Sequence, residues 1–291
     1  MISKPPGTEA RGRFYFISTN KGCKTEIYMY LSAHHSINFA DTILKTVHFH
    51  FSQTETSFIT PVPPLLLPDE EHGMIQEHWQ TVNADGRFFN GTVLAGMQIK
   101  LENVPSIQIS TSDYAHYLYS NANPAATPCR IIYCAAIIIT SDNHVLVGEM
   151  ASSTSAPGRL QFVGGNIELA PDGTVSGEAC CKREITEEVG FLFLDKTQEF
   201  RPLCIKTGGK ADHIGIYYLL RLTITADKAK SAFKDHLAAL AAREEMPELV
   251  KIHLIELTDV SIKRFCADHD EQLVDYLSPL LTSHLDELLQ H

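Results

Sequence analysis

The stretch Arg183-Glu-Ile-Thr-Glu-Glu-Val-Gly-Phe191 sets three glutamates and an arginine within six residues and then stops at a glycine. Ser176 is a good N-cap and Gly190 a good residue just past a C-terminus, so a helix is predicted from about residue 177 to 189. At about 100° per residue, Glu184, Glu187 and Glu188 fall within an arc of roughly 100°. Cys181, Ile185 and Val189 form an i, i+4 row on another flank and offer the helix a side to bury. Arg183 precedes Glu187 by four residues, within reach of its carboxylate. Like charges at i and i+4 cost a few tenths of a kcal/mol on an isolated helix. Taken alone, the cluster reads as a solvated acidic face. A hard divalent cation, which takes oxygen ligands and keeps waters and substrate phosphates in its other positions, is the alternative.

What precedes the helix reverses that preference. A strand ending Gln161-Phe-Val163 runs into Gly164-Gly165, then a loop, then the acidic helix. This order resembles the signature of the Nudix hydrolases, a glycine followed by a helix bearing R-E-U-x-E-E-x-G-U with U apolar, and all seven specified helix positions match. The flanks Pro157 to Gly165 and Ile137 to Glu149 look similar too, so the resemblance covers roughly residues 128 to 260. It departs at Val175, where the family has a glutamate eight residues before the arginine, and the loop from Gly165 to Arg183 is four residues longer than the pattern. Glu168, Asp172 and Glu178 are the acids that can stand in for it.

The resemblance implies an α/β/α sandwich with a mixed sheet and an enzyme that hydrolyses a nucleoside diphosphate linked to a group X, giving a nucleoside monophosphate and X-phosphate. It implies Mg²⁺, with Mn²⁺ as the alternative, held by Glu184, Glu187, Glu188 and the Gly165 carbonyl. Arg183 would orient the acids. Arg159, Gln161, Gly164 and Gly165 would meet the substrate. The general base varies across the family, and Glu248 is favoured here over Glu244 and Glu245 in the same loop. A looser likeness of Trp79-Gln80, Phe88 to Gly91 and Asp113 to Leu118 to a branch with an N-terminal β-rich extension implies a UDP-sugar substrate, with an ADP-ribose-like one as the alternative. Phe191, Tyr217 or Tyr218 would be the aromatic to stack on a base, unless these are core residues. The competing reading is a non-catalytic Nudix-fold binding or regulatory protein, which loss of a helix glutamate would favour.

Elsewhere the pattern is one of short strands up to about residue 120: Phe14 to Ile17, Glu26 to Tyr30, Thr46 to Phe51, Val93 to Lys100 and Ile107 to Ile109. A helix is predicted over Glu70 to Val82 and a hairpin-like turn at Asn83 to Arg87. The two prolines of Asn121 to Pro128 mark a border between a smaller β-rich N-terminal domain, 1–126, and a Nudix domain, 127–291. Within the latter, Cys129 to Thr140 reads as a buried strand, followed by strands His144 to Met150, Arg159 to Val163, around Leu203, His213 to Thr225 and Lys251 to Leu257, and a helix Asp227 to Arg243. The leucines 273, 277, 280, 281, 285, 288 and 289 stripe a C-terminal amphipathic helix, expected to dock on its own domain, with a second copy of the chain as the other occupant.

Composition bounds the partners. A net charge of -11 over 291 residues disfavours nucleic acid and leaves a phosphate ligand in need of a cation. The longest apolar run, Ile131 to Ile139, is half the ~20 residues of a membrane span. No signal-like segment opens the chain, and the seven cysteines contain no C-x-x-C pair, so reduced thiols in the cytoplasm are expected. His48 and His50, two apart on a strand, are read as polar strand residues and not as zinc ligands, and Thr207-Gly-Gly-Lys210 lacks P-loop spacing.

Overall fold

In the computed structural model, residues 46–86, 88–154 and 156–289 are described. In chain order their elements are β1 (Val47–Phe51), β2 (Ser57–Ile59), α1 (Asp69–Val82), β3 (Thr92–Lys100), β4 (Ser106–Asp113), α2 (Tyr114–Ala122), β5 (Ile132–Ile139), β6 (His144–Met150) and β7 (Leu160–Gln161). There follow α3 (Gly177–Glu188), α4 (Leu192–Asp195), β8 (Thr197–Gly208), β9 (Ile214–Leu222), α5 (Ala226–Ala242), β10 (Leu249–Glu256), α6 (Asp259–Asp268), α7 (Leu277–Ser283) and α8 (Leu285–Leu289). The strands expected at Phe14 to Ile17 and Glu26 to Tyr30 lie outside the described residues.

The apolar run forms β5, and its alternation places a core on each face. Cys134, Ala136 and Ile138 enter one cluster with α3 and α5, while Ala135, Ile137 and Ile139 enter another with α6, α7 and α8. A strand buried on both faces needs no polar alternation, which is why it reads as continuous. The main sheet has the order β1-β8-β9-β5-β6-β10 with β7 on β6, and only the β9–β5 pair is parallel. The architecture is therefore a helix-sheet-helix sandwich around a mixed sheet.

A second sheet, β2-β4-β3, is not walled off from the first. β1, from before the expected border, joins the main sheet beside β8. Leu94, Ile107 and Ile109 share a core with Cys134 and Ile138. The Gly96 N–H donates to the Arg130 carbonyl at 2.9 Å, and buried Glu71 accepts from the Thr127 N–H and hydroxyl at 2.7 and 2.6 Å. Packing thus runs through residues 121–128, and the described residues belong to one compact unit, Asn38–His291. The prolines there terminate α2 without separating two bodies.

Two further expectations are corrected. Asn83 to Gly86 do not join two strands, since α1 precedes them, and Arg87 lies outside the described residues: Asn83 caps the helix and its side chain bonds the Phe88 backbone at 2.8 and 3.1 Å. The C-terminal stripe is broken into a short 3-10 turn, α7 and α8, with Pro279 in the first turn of α7 and His284 between the two helices. Leu277, Leu280, Leu281 and Leu288 are fully buried in the α6–α8 core, and Arg221 Nη2 donates to the Leu288 carbonyl at 2.7 Å. No helix among the described residues is long and apolar enough to cross a membrane. Leu281→Ala is expected to cost about 3 kcal/mol in denaturant unfolding, the usual loss for a buried leucine, with no change in sedimentation. A change in oligomeric state at unaltered stability would contradict the intramolecular docking.

Candidate active site

Helix α3 starts where its capping residue says it should, with Ser176 Oγ accepting from the Ala179 N–H at 3.1 Å. It ends where Gly190, at φ 101°, lets the chain turn back while its N–H reaches the Ile185 carbonyl at 3.0 Å. Along it the three glutamates separate. Glu184 and Glu188, one turn apart, are 8% and 3% exposed, while Glu187 faces solvent. The expected single acidic face is therefore a buried pair with an exposed neighbour, because the row Cys181, Ile185, Val189 turns into the core and draws its flanking acids down with it.

Both glycines before the loop are there for space. A Cβ on Gly164 would lie 2.1 Å from the Cys134 carbonyl oxygen, and one on Gly165 would lie 2.6 Å from Glu184 Cδ. With no Cβ, the strand lies against β5 and its backbone meets the acids: the Gly164 N–H donates to Glu188 Oε2 at 2.9 Å. The other oxygen, Glu188 Oε1, is buried with no hydrogen-bond partner. The Gly165 carbonyl accepts from the Cys134 N–H at 2.9 Å and from the Cys134 thiol at 3.6 Å, so a ligand there would displace the weaker thiol contact.

Arg183 does not reach Glu187. Its Nη2 donates to Glu184 Oε1 at 2.8 Å and its Nη1 to Glu168 Oε2 at 2.9 Å. Of the three loop acids Glu168 is thus the one that meets Arg183, while Val175 packs its half-buried apolar side chain on the core. Asp172 instead accepts from Thr174, and Glu178 pairs with Lys182. Sequence spacing gave no means of choosing among these acids, since the loop's path decides which one returns to the helix. Cys180 was not singled out by the sequence: its thiol points at the Asn166 carbonyl, 3.3 Å away, and lies 3.9 Å from Glu184 Oε1.

The acids raise one another. Burial pushes the Glu184 carboxyl up to about 7, opposed by Arg183 and assisted by the charges of Glu187 and Glu248. Burial also holds Glu188 well above the usual carboxylate range, against the Gly164 N–H and together with the charges of Glu184, Glu248 and Glu187. Glu248, exposed just before β10, is held by its carbonyl on the Ala151 N–H at 2.7 Å. Glu245 is taken up by Arg243 at 3.0 Å, and neither it nor Glu244 contributes to the shifts of the pair.

Among the described residues, no three His, Cys, Asp or Glu side chains stand together as a ready cage for a metal ion. The pair nonetheless fits a hard divalent cation chemically, since it supplies carboxylate oxygens, one of them an orphan, whose mutual repulsion a positive charge would relieve. Gln161 pairs with Gly148 on β7–β6, half-buried. Arg159 is exposed, its carbonyl accepting from the Met150 N–H at 2.9 Å. Tyr217 and Tyr218 are completely buried, Tyr218 stacked on Phe200 at 5.2 Å, so neither is open to a base, whereas Phe191 is 67% exposed.

No protein-family model matches the chain, and no curated protein does either. Among solved structures, it is similar to DR0079 from Deinococcus radiodurans, at 16% identity over 66% of this chain and 98% of that one, with a TM-score of 0.42. It is similar to a bifunctional NMN adenylyltransferase/ADP ribose pyrophosphatase from Francisella tularensis, complexed with AMP and a Mn ion, at 13% identity, 60% of this chain and 45% of that one, and a TM-score of 0.37. It is similar also to the Nudix domain of Shewanella oneidensis NrtR complexed with ADP ribose, at 14% identity, 61% of this chain and 99% of that one, and a TM-score of 0.36. The chain thus spans less than half of the Francisella protein. In this chain itself, the sequence signature is realised as a strand, a glycine pair and a carboxylate-bearing helix joined to one another by hydrogen bonds.

Because both carboxyls are raised on folding, the folded metal-free chain holds more protons than the unfolded one between their two values. The Glu184 contribution is full below about pH 4.5 and is lost as pH climbs to about 7, an amount of the order of 3 kcal/mol. His213, pushed down to about 4 by burial, acts in the opposite sense over the same range, so the measurement is the difference between wild type and Glu184→Gln. In denaturant unfolding of metal-free protein, wild type is expected to lose stability relative to that variant between about pH 5 and pH 8, and millimolar Mg²⁺ to restore it. A difference between the two that does not change with pH would contradict the raised carboxyl.

Proposed function

We propose that the chain is a Nudix-type pyrophosphohydrolase that cleaves a nucleoside diphosphate linked to a group X, with Glu184 and Glu188 as the principal metal-holding acids. The observation that carries this reading is the buried pair itself. Two desolvated carboxylates one turn apart, of which Arg183 pairs with Glu184 alone and leaves Glu188 with an orphan oxygen, gain from a further cation. Mg²⁺ or Mn²⁺ bound there would polarise the diphosphate and lower the pKa of an attacking water.

The chain's own residues prepare that event. The Gly164 N–H fixes the carboxylate of Glu188, and Arg183, tied to Glu168, fixes that of Glu184. Glu187, exposed beside them, completes the metal-holding acids, with the Gly165 carbonyl as the backbone ligand. Glu248 is assigned as the general base: it is exposed on a loop close enough to act electrostatically on both buried acids, and as a carboxylate it can accept a proton from water. Arg159, Gln161 and Gly164 are assigned to the substrate side of the site. A UDP-sugar is the favoured substrate and an ADP-ribose-like molecule the second, and the buried free thiols suit a reducing cytoplasm.

With Mg²⁺ and a panel of UDP-glucose, ADP-ribose, diadenosine polyphosphates and nucleoside triphosphates, at least one is expected to yield a nucleoside monophosphate and X-phosphate. Glu184→Gln and Glu188→Gln should each lower kcat/KM by roughly 10²-fold or more while leaving the chain folded. Glu248→Gln should lower kcat by about 10² and remove the limb of the pH–rate profile that reports the base. Turnover of no panel member, or full activity in Glu188→Gln, would sink the proposal.

A further inference from the structure

The strand that runs from Arg159 into the glycine pair is held along one edge by the main sheet. The Arg159 carbonyl accepts from the Met150 N–H at 2.9 Å and Gln161 is in register with Gly148. The Val163 and Gly165 carbonyls then accept from the Ala136 and Cys134 N–H groups at 2.7 and 2.9 Å. Backbone groups of successive residues in a strand point to opposite edges, so those of Gly158, Leu160, Phe162 and Gly164 face away from β5 and β6. Gly164 belongs to this second series, and its N–H is the one that meets Glu188 Oε2 at 2.9 Å.

One later stretch of chain, between α6 and α7, occupies the rest of that series. Gln272 Nε2 donates to the Gly158 carbonyl at 3.2 Å, the Val274 N–H to the Leu160 carbonyl at 3.2 Å, and the Phe162 N–H to the Tyr276 hydroxyl at 3.3 Å. Steps of two on both segments, with Leu160 and Leu273 in a parallel bridge, make this a clasp that runs along the strand and stops two residues short of Gly164. Its two side-chain contacts are themselves fixed. The Gly158 carbonyl can only accept, which orients the Gln272 amide and turns its Oε1 to His269 Nδ1 at 2.9 Å, and the His269 ring packs on Phe265 at 4.7 Å. Tyr276, 7% exposed, stacks on Phe162 and Tyr133 at 5.9 and 6.2 Å and meets Tyr217 edge-on at 5.3 Å. Asp275 Oδ2 accepts the Lys210 N–H at 2.9 Å and ties the clasp to the turn between β8 and β9. Buried Phe265 and Cys266 of α6 and Leu277 and Leu280 of α7 pin its two ends in the core.

We infer that Tyr276 and Gln272 are positioning residues for the hydrolytic site. Tyr276 holds the strand at Phe162 and through it the Gly164 N–H that fixes Glu188, while Gln272 holds the loop at Gly158 that presents Arg159. The purpose of the clasp rests on the hydrolase reading, though its existence does not. Each residue acts through the backbone of the strand, and the two ends act on different events. Loosening the Tyr276 end disturbs a metal-holding carboxylate and is felt in kcat, whereas loosening the Gln272 end disturbs a substrate contact and is felt in KM.

The test compares Tyr276→Phe and Gln272→Met with wild type in the full chain. The first keeps the ring packing and removes one oxygen; the second, at an exposed position, keeps the side-chain length and removes the donor without adding charge. In Tyr276→Phe the Gly164 amide is expected to exchange with solvent about fivefold faster by NMR, while the Ile137 and Ile138 amides of β5 keep their wild-type rates. Mn²⁺ binding, read by electron paramagnetic resonance, should weaken about fivefold, and kcat should fall by a similar factor at unchanged KM. In Gln272→Met, KM for the panel member turned over should rise about fivefold at unchanged kcat, with no further rise when the change is added to Arg159→Gln. Gly164 exchange at the wild-type rate in Tyr276→Phe, or all amides quickening together, overturns the positioning role, as does a Gln272→Met effect that persists in full on Arg159→Gln. A chain that turns over no nucleoside diphosphate derivative yet shows the Gly164 exchange pattern keeps the clasp and loses the hydrolase reading. Turnover with Gly164 exchange indifferent to Tyr276 does the reverse.

Discussion

The contact on which the candidate site depends is the approach of two buried carboxylates to a backbone stripped of side chains. Glu184 occupies the volume that a Cβ on Gly165 would take, and Glu188 accepts the Gly164 N–H. Any side chain at either glycine would push the strand off β5 or the helix off the strand. Burying a carboxylate with incomplete partners is costly, and here Arg183 and one N–H offset it only in part. The remaining imbalance is a cost in stability that the fold carries at this pair.

The rest of the fold keeps that approach rigid. β5 is buried on both faces and anchors the glycine strand through the Cys134 and Ala136 N–H groups, at 2.9 and 2.7 Å. α5 closes the far end of α3, where His236 Nε2 hydrogen-bonds to the Glu187 carbonyl at 3.0 Å. Tyr218, on which a Cβ at Gly177 would collide at 2.5 Å, supports the start of the same helix and is bonded to Glu55 from the N-terminal part of the chain. Residues from before the expected border therefore reach the acidic helix through Tyr218 and share a core with it.

Local signals were reliable where local physics decides. The cap at Ser176, the stop at Gly190, the apolar run of β5 and the 3.6-residue pattern of α1 and α5 each gave an element within a residue or three of its observed ends. They were unreliable where neighbours decide. The three glutamates had equal standing on a helical wheel, yet packing of Cys181 and Ile185 buried two and left Glu187 outside. Arg183 was within reach of Glu187 by spacing and bonded Glu184 and Glu168 instead, because the loop returns on that side. The C-terminal leucines kept their burial and lost their single helix, since a closed core constrains where side chains lie more tightly than whether the backbone between them stays helical.

By itself, then, the sequence determined the secondary elements and the acidic helix with its glycine pair, because caps and periodicity act over a few residues, while the class of chemistry to look for came from the resemblance of that order of residues to a known signature. Only the tertiary structure decided which acids are desolvated and which acid of the long loop meets Arg183. Those are properties of distance and dielectric between segments far apart in the chain, and no local pattern encodes them.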